Sequence, residues 1–209
     1  MCYCPRVDFA RPVEALIPGV QGRVLAVLAN TDSELTMRTV ATLSGVSSNR
    51  ASQVLNRLVS LGLVERRDVG NSALVRLSRQ SEAARLVAEC ADLHSRVIHR
   101  MRSEAKKLRP APSCLLAFGS FARREARDDS DIDILAVIDG VGAEQIAATE
   151  SMGRWSDTVM HMTGNPVNLI QVSSKEIPGL LKRGSFWRDV ARGAIVLAGT
   201  PPIELGVIE

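Results

Sequence analysis

The chain has 209 residues, of which 45% are hydrophobic, 23% charged and only 3% aromatic, with a formal net charge of +3. That length fits one large domain or two small ones, and the scarcity of aromatics leaves Leu, Val, Ile and Ala to build the core. No apolar run is long enough to span a bilayer and no h-region marks a signal peptide, so a cytoplasmic location without a membrane partner is expected.

The charge is uneven. Residues 1–112 hold 17 Lys+Arg against 10 Asp+Glu, whereas residues 113–209 hold 9 against 13. A basic front half and an acidic back half suggest nucleic acid as partner of the first and bound cations in the second. Cys2, Cys4, Cys90 and Cys114 are too scattered for a disulfide framework, and no pair with zinc-site spacing follows Cys2 and Cys4, so free thiols are expected. His94, His99 and His161 show no ligand spacing and receive no role.

In chain order, residues 20–79 read as three helices and a hairpin. Val24, Leu25, Val27 and Leu28 form the first apolar patch. Thr36 can cap a second helix containing Val40, Ala41 and Leu43, and Ser44-Gly45-Val46 is a tight turn that uses the freedom of Gly45 at positive φ. Ser47 or Ser48 can cap a third helix running to Leu61, with Ala51, Val54, Leu55, Leu58 and Leu61 at helical spacing. Gly62 ends it, Leu63 to Arg67 read as a strand, Val69 to Ser72 as a hairpin tip, and Leu74 to Leu77 as the returning strand. With "L-x-x-L-G-L-V-E-R" joining helix to strand, this order resembles the winged helix-turn-helix family over roughly residues 20–80. The resemblance implies double-stranded DNA as partner, with the third helix in the major groove and the hairpin on the backbone. The candidate DNA-binding residues are then Ser48, Asn49, Arg50, Ser52, Gln53, Asn56 and Arg57 on the helix, with Arg66 and Arg67 on the wing beside Arg76.

From Ser81 to Leu108, apolar Leu86, Cys90, Leu93, Val97, Met101, Ala105 and Leu108 recur every three or four positions, which predicts one long amphipathic connector helix ended by Pro110 and Pro112. Its stripe can pack within the chain or pair with a second copy; a homodimer is expected.

In the back half, Cys114 to Phe118 reads as a buried strand entering a Gly119-Ser120 turn, a short basic helix follows, and Asp131 and Asp133 open the next strand. Strand side chains alternate, so these two carboxylates share a face and repel each other unless a cation lies between them. Hard Mg²⁺ prefers such oxygen ligands, and the free N–H groups of the Gly-Ser turn suit phosphate oxygens. A helix over 143–162, a strand over Val167–Val172, a helix over about 175–192 and a strand over Ala194–Leu197 complete the half, with Trp155 and Trp187 as core residues.

The run "L-L-A-F-G-S-F-A-R-R-E-A-R-D-D-S-D-I-D-I-L-A-V" resembles the signature of the DNA polymerase β-type nucleotidyltransferase superfamily, nearest to its minimal members, over about residues 113–199. The resemblance implies a nucleoside triphosphate held by Gly119 and Ser120, phosphate charge neutralised by Arg123 and Arg124, a turn fixed by Ser130, and catalytic Asp131 and Asp133 binding two Mg²⁺. The family's third carboxylate, which holds the second ion and helps deprotonate the nucleophile, aligns with Asn168. An amide can ligate through oxygen but carries no charge and cannot act as a base.

The expected fold class is α+β: a winged helix-turn-helix domain (1–80), a long connector helix (81–112) and a mixed-sheet nucleotidyltransferase-like domain (113–209). Two functions follow. One is a DNA-binding regulator that binds Mg-nucleotide and transfers a nucleoside monophosphate to a hydroxyl acceptor. The other is a regulator whose lapsed nucleotidyltransferase domain senses a nucleotide or engages a protein partner of toxin–antitoxin type.

Overall fold

The computed structural model describes residues 6–181, 187, 190 and 193–201. The chain divides into two compact units: Arg11–Leu93, and a second built from the residues up to Ala10 together with those from His94 onward. Residues 6–10 therefore group with the back half rather than with the winged helix at 1–80. Their anchor is a set of long-range bonds to residues 126, 129 and 165, which no local pattern encodes.

The first unit contains α1 (Pro12–Leu16), α2 (Val20–Ala29), β1 (Leu35–Thr36), α3 (Met37–Ser44), α4 (Ser48–Ser60), β2 (Val64–Val69), β3 (Ser72–Leu77) and α5 (Glu82–Ala91). Thr36 caps α3 by accepting the Thr39 N–H at 3.0 Å, and Gly45 closes that helix in the left-handed region at φ 63°. Leu55 and Leu58 of α4 are fully buried against Val24, Leu25, Leu28, Val40, Val64 and Val75. Truncating Leu55 to Ala there costs about 2–5 kcal/mol. Leu61, expected in that core, lies past the helix end and is exposed, as is Leu43 on α3. The hairpin β2–β3 is antiparallel, and β1 adds to its far side through Leu35↔Val75 and Thr36↔Leu74. A two-residue strand is too short to show alternation in the sequence.

The connector is two helices, not one. α5 ends at Asp92, whose N–H bonds to the carbonyls of Ala88 and Cys90, and α6 (Leu93–Ala105) follows. The α5 half turns Val87, Cys90 and Ala91 to the winged-helix core and leaves Leu86 exposed at 60%. The α6 half buries Val97, Ile98, Met101 and Ala105 in the second unit. Each half serves a different core, so the stripe is not continuous. Periodicity alone does not reveal such a change of partner.

The second unit holds a four-stranded mixed sheet in the order β6-β5-β4-β7, from β4 (Cys114–Phe118), β5 (Ile132–Val137), β6 (Val167–Val172) and β7 (Ile195–Gly199). β5 runs parallel to β6 and the other pairs are antiparallel. α7 (Gly119–Ala122) follows β4, and α8 (Ala143–Thr163) crosses from β5 to β6. α9 (Ile177–Leu181) begins the helix expected over 175–192, most of whose remainder lies outside the described residues. β4 is buried along its whole length, and burial pushes the Cys114 thiol up to about 11. Trp155 and Trp187 are core residues, as expected. The architecture is α+β, a winged-helix unit followed by a mixed-sheet unit, and among the described residues no helix is long and apolar enough to cross a membrane.

Candidate functional site

Sheet topology gathers the back-half candidates at one edge. β4 is antiparallel to β5, so its exit lies beside the β5 entry: Phe118 pairs with Asp133. β6 is parallel to β5, so its entry lies there too: Asp133 pairs with Asn168. The Gly119-Ser120 turn, the Asp131/Asp133 pair and Asn168 therefore meet at one end of three adjacent strands. The backbone of Gly119 lies in the left-handed region at φ +71°, and a Cβ there would come within 2.4 Å of Asp133 Oδ2, so the carboxylate would have to move. The turn's glycine is thus favoured twice, by conformation and by the approach of the carboxylate.

Asn168 Nδ2 donates to Asp133 Oδ1 at 2.9 Å. The side chain at the position of the expected third carboxylate is a neutral donor to the second aspartate. Among the described residues, no group of three His, Cys, Asp or Glu side chains could hold a metal ion. Asp157, on α8, is exposed, and Asp139 lies two residues past the other end of β5. The donor set that remains is two carboxylates and one amide, a hard-oxygen set that suits a single Mg²⁺ once the amide presents its oxygen.

The turn before Asp131 is closed locally: Ser130 Oγ accepts the Arg127 N–H at 2.9 Å, and the Ser130 N–H reaches the Arg127 carbonyl at 3.1 Å. Ser120 is half-buried, with its carbonyl accepting from Glu125 N–H at 2.8 Å. Arg123 is exposed and pairs with Glu125 at 2.9 Å. Arg124, at φ 61° the single non-glycine described residue with positive φ, sends its guanidinium to Ser95 Oγ at 3.0 Å. Neither arginine is buried, so each can turn to an incoming phosphate at small cost.

Sequence reasoning missed Asn165. It is fully buried; its Oδ1 accepts the Val7 N–H at 2.9 Å, and its Nδ2 donates to the carbonyls of Val7 at 3.2 Å and Ser130 at 3.1 Å. It ties the residue before Asp131 to the start of the chain. The "G-N-P" run signals a turn, but nothing local shows what its asparagine reaches.

On the winged-helix unit, Ser48, Asn49, Arg50, Gln53, Asn56 and Arg57 are exposed on α4, and Ser52 is half-buried. The wing arginines are partly committed. Arg66 donates to Asn56 Oδ1 at 3.1 Å and to Asp68 at 2.8 Å, which joins the helix to the hairpin. Arg67 pairs with Glu34, whose carboxyl is held below its usual range chiefly by the hydrogen bond from that guanidinium. Arg76 pairs with Glu65, which is lowered by Arg76 and then by the Ser78 hydroxyl. Arg50 and Arg57 make no ion pair among the described residues. A groove of about 650 Å³ runs between the start of α3 and the hairpin tip, lined in part by Thr36, Arg38, Arg66, Asp68 and Asn71. Exposed Arg38 in that groove is a second residue the sequence reading did not single out.

Two family models match the chain, the second beginning in the wing of the first unit and running into the second unit. Residues 17–73 match the MarR family model, and residues 65–166 match the model described as "Putative nucleotidyltransferase DUF294". Residues 17–73 carry a MarR-type winged helix-turn-helix domain, and residues 65–166 carry the nucleotidyltransferase-type match. Solved structures similar to part of it include the homodimeric winged helix-turn-helix DNA-binding domain of a Mycobacterium bovis protein, at 32% identity over 42% of this chain and 79% of that one, TM-score 0.32. A MarR family transcriptional regulator from Silicibacter pomeroyi aligns at 25% identity over 47% and 68%, TM-score 0.32. Another from Rhodococcus aligns at 20% identity over 42% and 62%, TM-score 0.31. No curated protein matches the chain. The MarR-type match spans α2 to the hairpin, and the nucleotidyltransferase-type match spans both aspartates and stops two residues before Asn168.

Proposed function

We propose that this protein is a DNA-binding transcriptional regulator whose nucleotidyltransferase-type domain binds a nucleoside triphosphate with Mg²⁺ and does not transfer it efficiently. The observation that carries the reading is the Asn168 amide donating to Asp133 at 2.9 Å, where turnover needs a third carboxylate. Asp131 and Asp133 are the metal ligands, with the Asn168 oxygen as a third donor. The backbone of Gly119 and Ser120 takes phosphate oxygens, Arg123 and Arg124 neutralise their charge, and Ser130 holds the turn that presents the pair. A bound divalent ion supplies charge neutralisation for the triphosphate. The general-base share of catalysis, typically ~10²–10⁴-fold, has no side chain to perform it at Asn168.

Transfer of a nucleoside monophosphate to a hydroxyl is the second reading, favoured by the retained aspartate pair beside Gly119. Labelled triphosphates, incubated with cell extract and either the wild type or Asn168→Asp, separate the two. Transfer by Asn168→Asp alone is the expected result. Transfer by the wild type at the same rate contradicts the binding-only reading.

DNA binding uses the exposed face of α4, with the wing and the groove beside it on the backbone. Arg50→Ala is expected to weaken binding of a selected duplex by about 1–3 kcal/mol in a polarisation assay. An unchanged affinity there removes α4 as the reading helix.

A further inference from the structure

We infer that the phosphate-binding turn is fastened to both points where the chain passes between its units, so that nucleotide occupancy changes affinity for DNA. This rests on the Mg-nucleotide reading above. The passages lie at Ala10/Arg11 and at Leu93/His94.

The residues on the second-unit side of each passage are bonded to the segment that follows Gly119-Ser120. At the first, the Ala10 N–H donates to the Ala126 carbonyl at 2.9 Å, and the buried Phe9 ring packs edge-on against Phe121, centroids 5.0 Å apart at 86°. At the second, His94 Nε2 donates to the Phe121 carbonyl at 2.7 Å, its ring 4.8 Å from the Phe121 ring. Phe9 and His94 also meet edge-on at 6.4 Å, so one aromatic cluster holds both passages. Ser95, next along, accepts from the Arg124 guanidinium at 3.0 Å. Two residues before Phe9, Val7 is clamped by Asn165, which also holds the carbonyl directly before Asp131.

Arg124 is the element with two arrangements. Its left-handed backbone costs about 1 kcal/mol for a residue with a Cβ. Without ligand its guanidinium is used on Ser95. A triphosphate on the Gly119-Ser120 turn carries several anionic oxygens and competes for that guanidinium far better than a neutral hydroxyl does. Capture of Arg124 by phosphate removes one of the bonds at the second passage and repositions the segment that Phe9 and His94 grip. Linkage makes the effect reciprocal: DNA must change nucleotide affinity by the same factor, and couplings of this kind are typically ~5–150-fold.

The test uses the full chain and a fluorescein-labelled duplex that the chain itself selects from a random pool. Calorimetry with each of the four ribonucleoside triphosphates and Mg²⁺ first establishes which of them bind. Polarisation then measures DNA affinity with and without a saturating triphosphate. The expected result is a change of about fivefold or more for a triphosphate that binds. That change should fall below fivefold in Phe9→Ala and in Ser95→Ala, while both variants still bind the triphosphate, Ser95→Ala at least as tightly as wild type. Ser95→Ala removes one hydroxyl and keeps the test decisive if loss of the buried Phe9 ring unfolds the chain. A triphosphate that binds and leaves DNA affinity within fivefold overturns the coupling and spares the nucleotide site. A full-sized change in both variants overturns the proposed route. Absence of any triphosphate binding overturns both readings, and a pool that yields no duplex overturns the DNA reading with the coupling.

Discussion

Strand β5 has acids at both ends, and the two ends are finished differently. Beyond its exit, Asp139 accepts the Ser174 N–H at 2.9 Å, the Ser174 hydroxyl at 2.7 Å and the Ser113 hydroxyl at 2.8 Å. These donors, Ser174 foremost, hold its carboxyl below the usual range. At its entry, Asp131 and Asp133 have between them one donor among the described residues, the Asn168 amide. A carboxylate that serves the fold is saturated by the chain's own N–H and O–H groups. A pair left with a single amide, beside a glycine turn at positive φ, has capacity for an external cation and for phosphate.

Substitutions at three positions sharpen or break that contrast. Asp131→Ala is expected to weaken Mg²⁺-dependent triphosphate binding by at least about 100-fold, since even the outer partners of metal ligands are typically worth 10–100-fold. Asp139→Ala should leave it unchanged, and calorimetry that finds the two variants equally impaired erases the distinction between the ends. Next in size, Gly119→Ala forces a Cβ against Asp133 Oδ2 in a left-handed backbone. It should cost about 1–3 kcal/mol in urea unfolding and displace the carboxylate. A variant as stable as wild type shows that the turn can rearrange. The smallest effect is at the saturated end. A depressed folded pKa contributes stability above the unfolded value of 3.8 and loses it as pH falls through the folded value. The advantage of wild type over Asp139→Asn should therefore be present at about pH 6 and shrink toward pH 3. A difference in urea midpoint that grows toward acid contradicts the assigned donors.

Much of this was legible in the chain. Thr36 as a cap, Gly45 as a helix terminator, the buried spacing of Ala51, Leu55 and Leu58, and the hairpin tip at residues 69–72 all rest on interactions between near neighbours. The aspartate pair and the Gly-Ser turn were legible as motifs because their spacing is itself the chemistry. What escaped depends on contacts far apart in sequence. β1 exists because β3 pairs with it, α5 and α6 part at Asp92 because each packs on a different core, and Asn165 matters through partners 35 and 158 residues away. The wing arginines looked available to DNA. Arg67 and Arg76 are engaged by Glu34 and Glu65, and Glu34 lies 33 residues away from its partner.

The entry of β5 is, in the reading proposed above, a binding site for a metal–nucleotide complex. Titrating the full chain with nucleoside triphosphates by calorimetry, with Mg²⁺ and then with chelator, tests it most directly. Binding that appears only with Mg²⁺ in the wild type and is lost in Asp131→Ala is the predicted result. No binding of any of the four triphosphates, or equal binding in chelator and in Asp131→Ala, contradicts it.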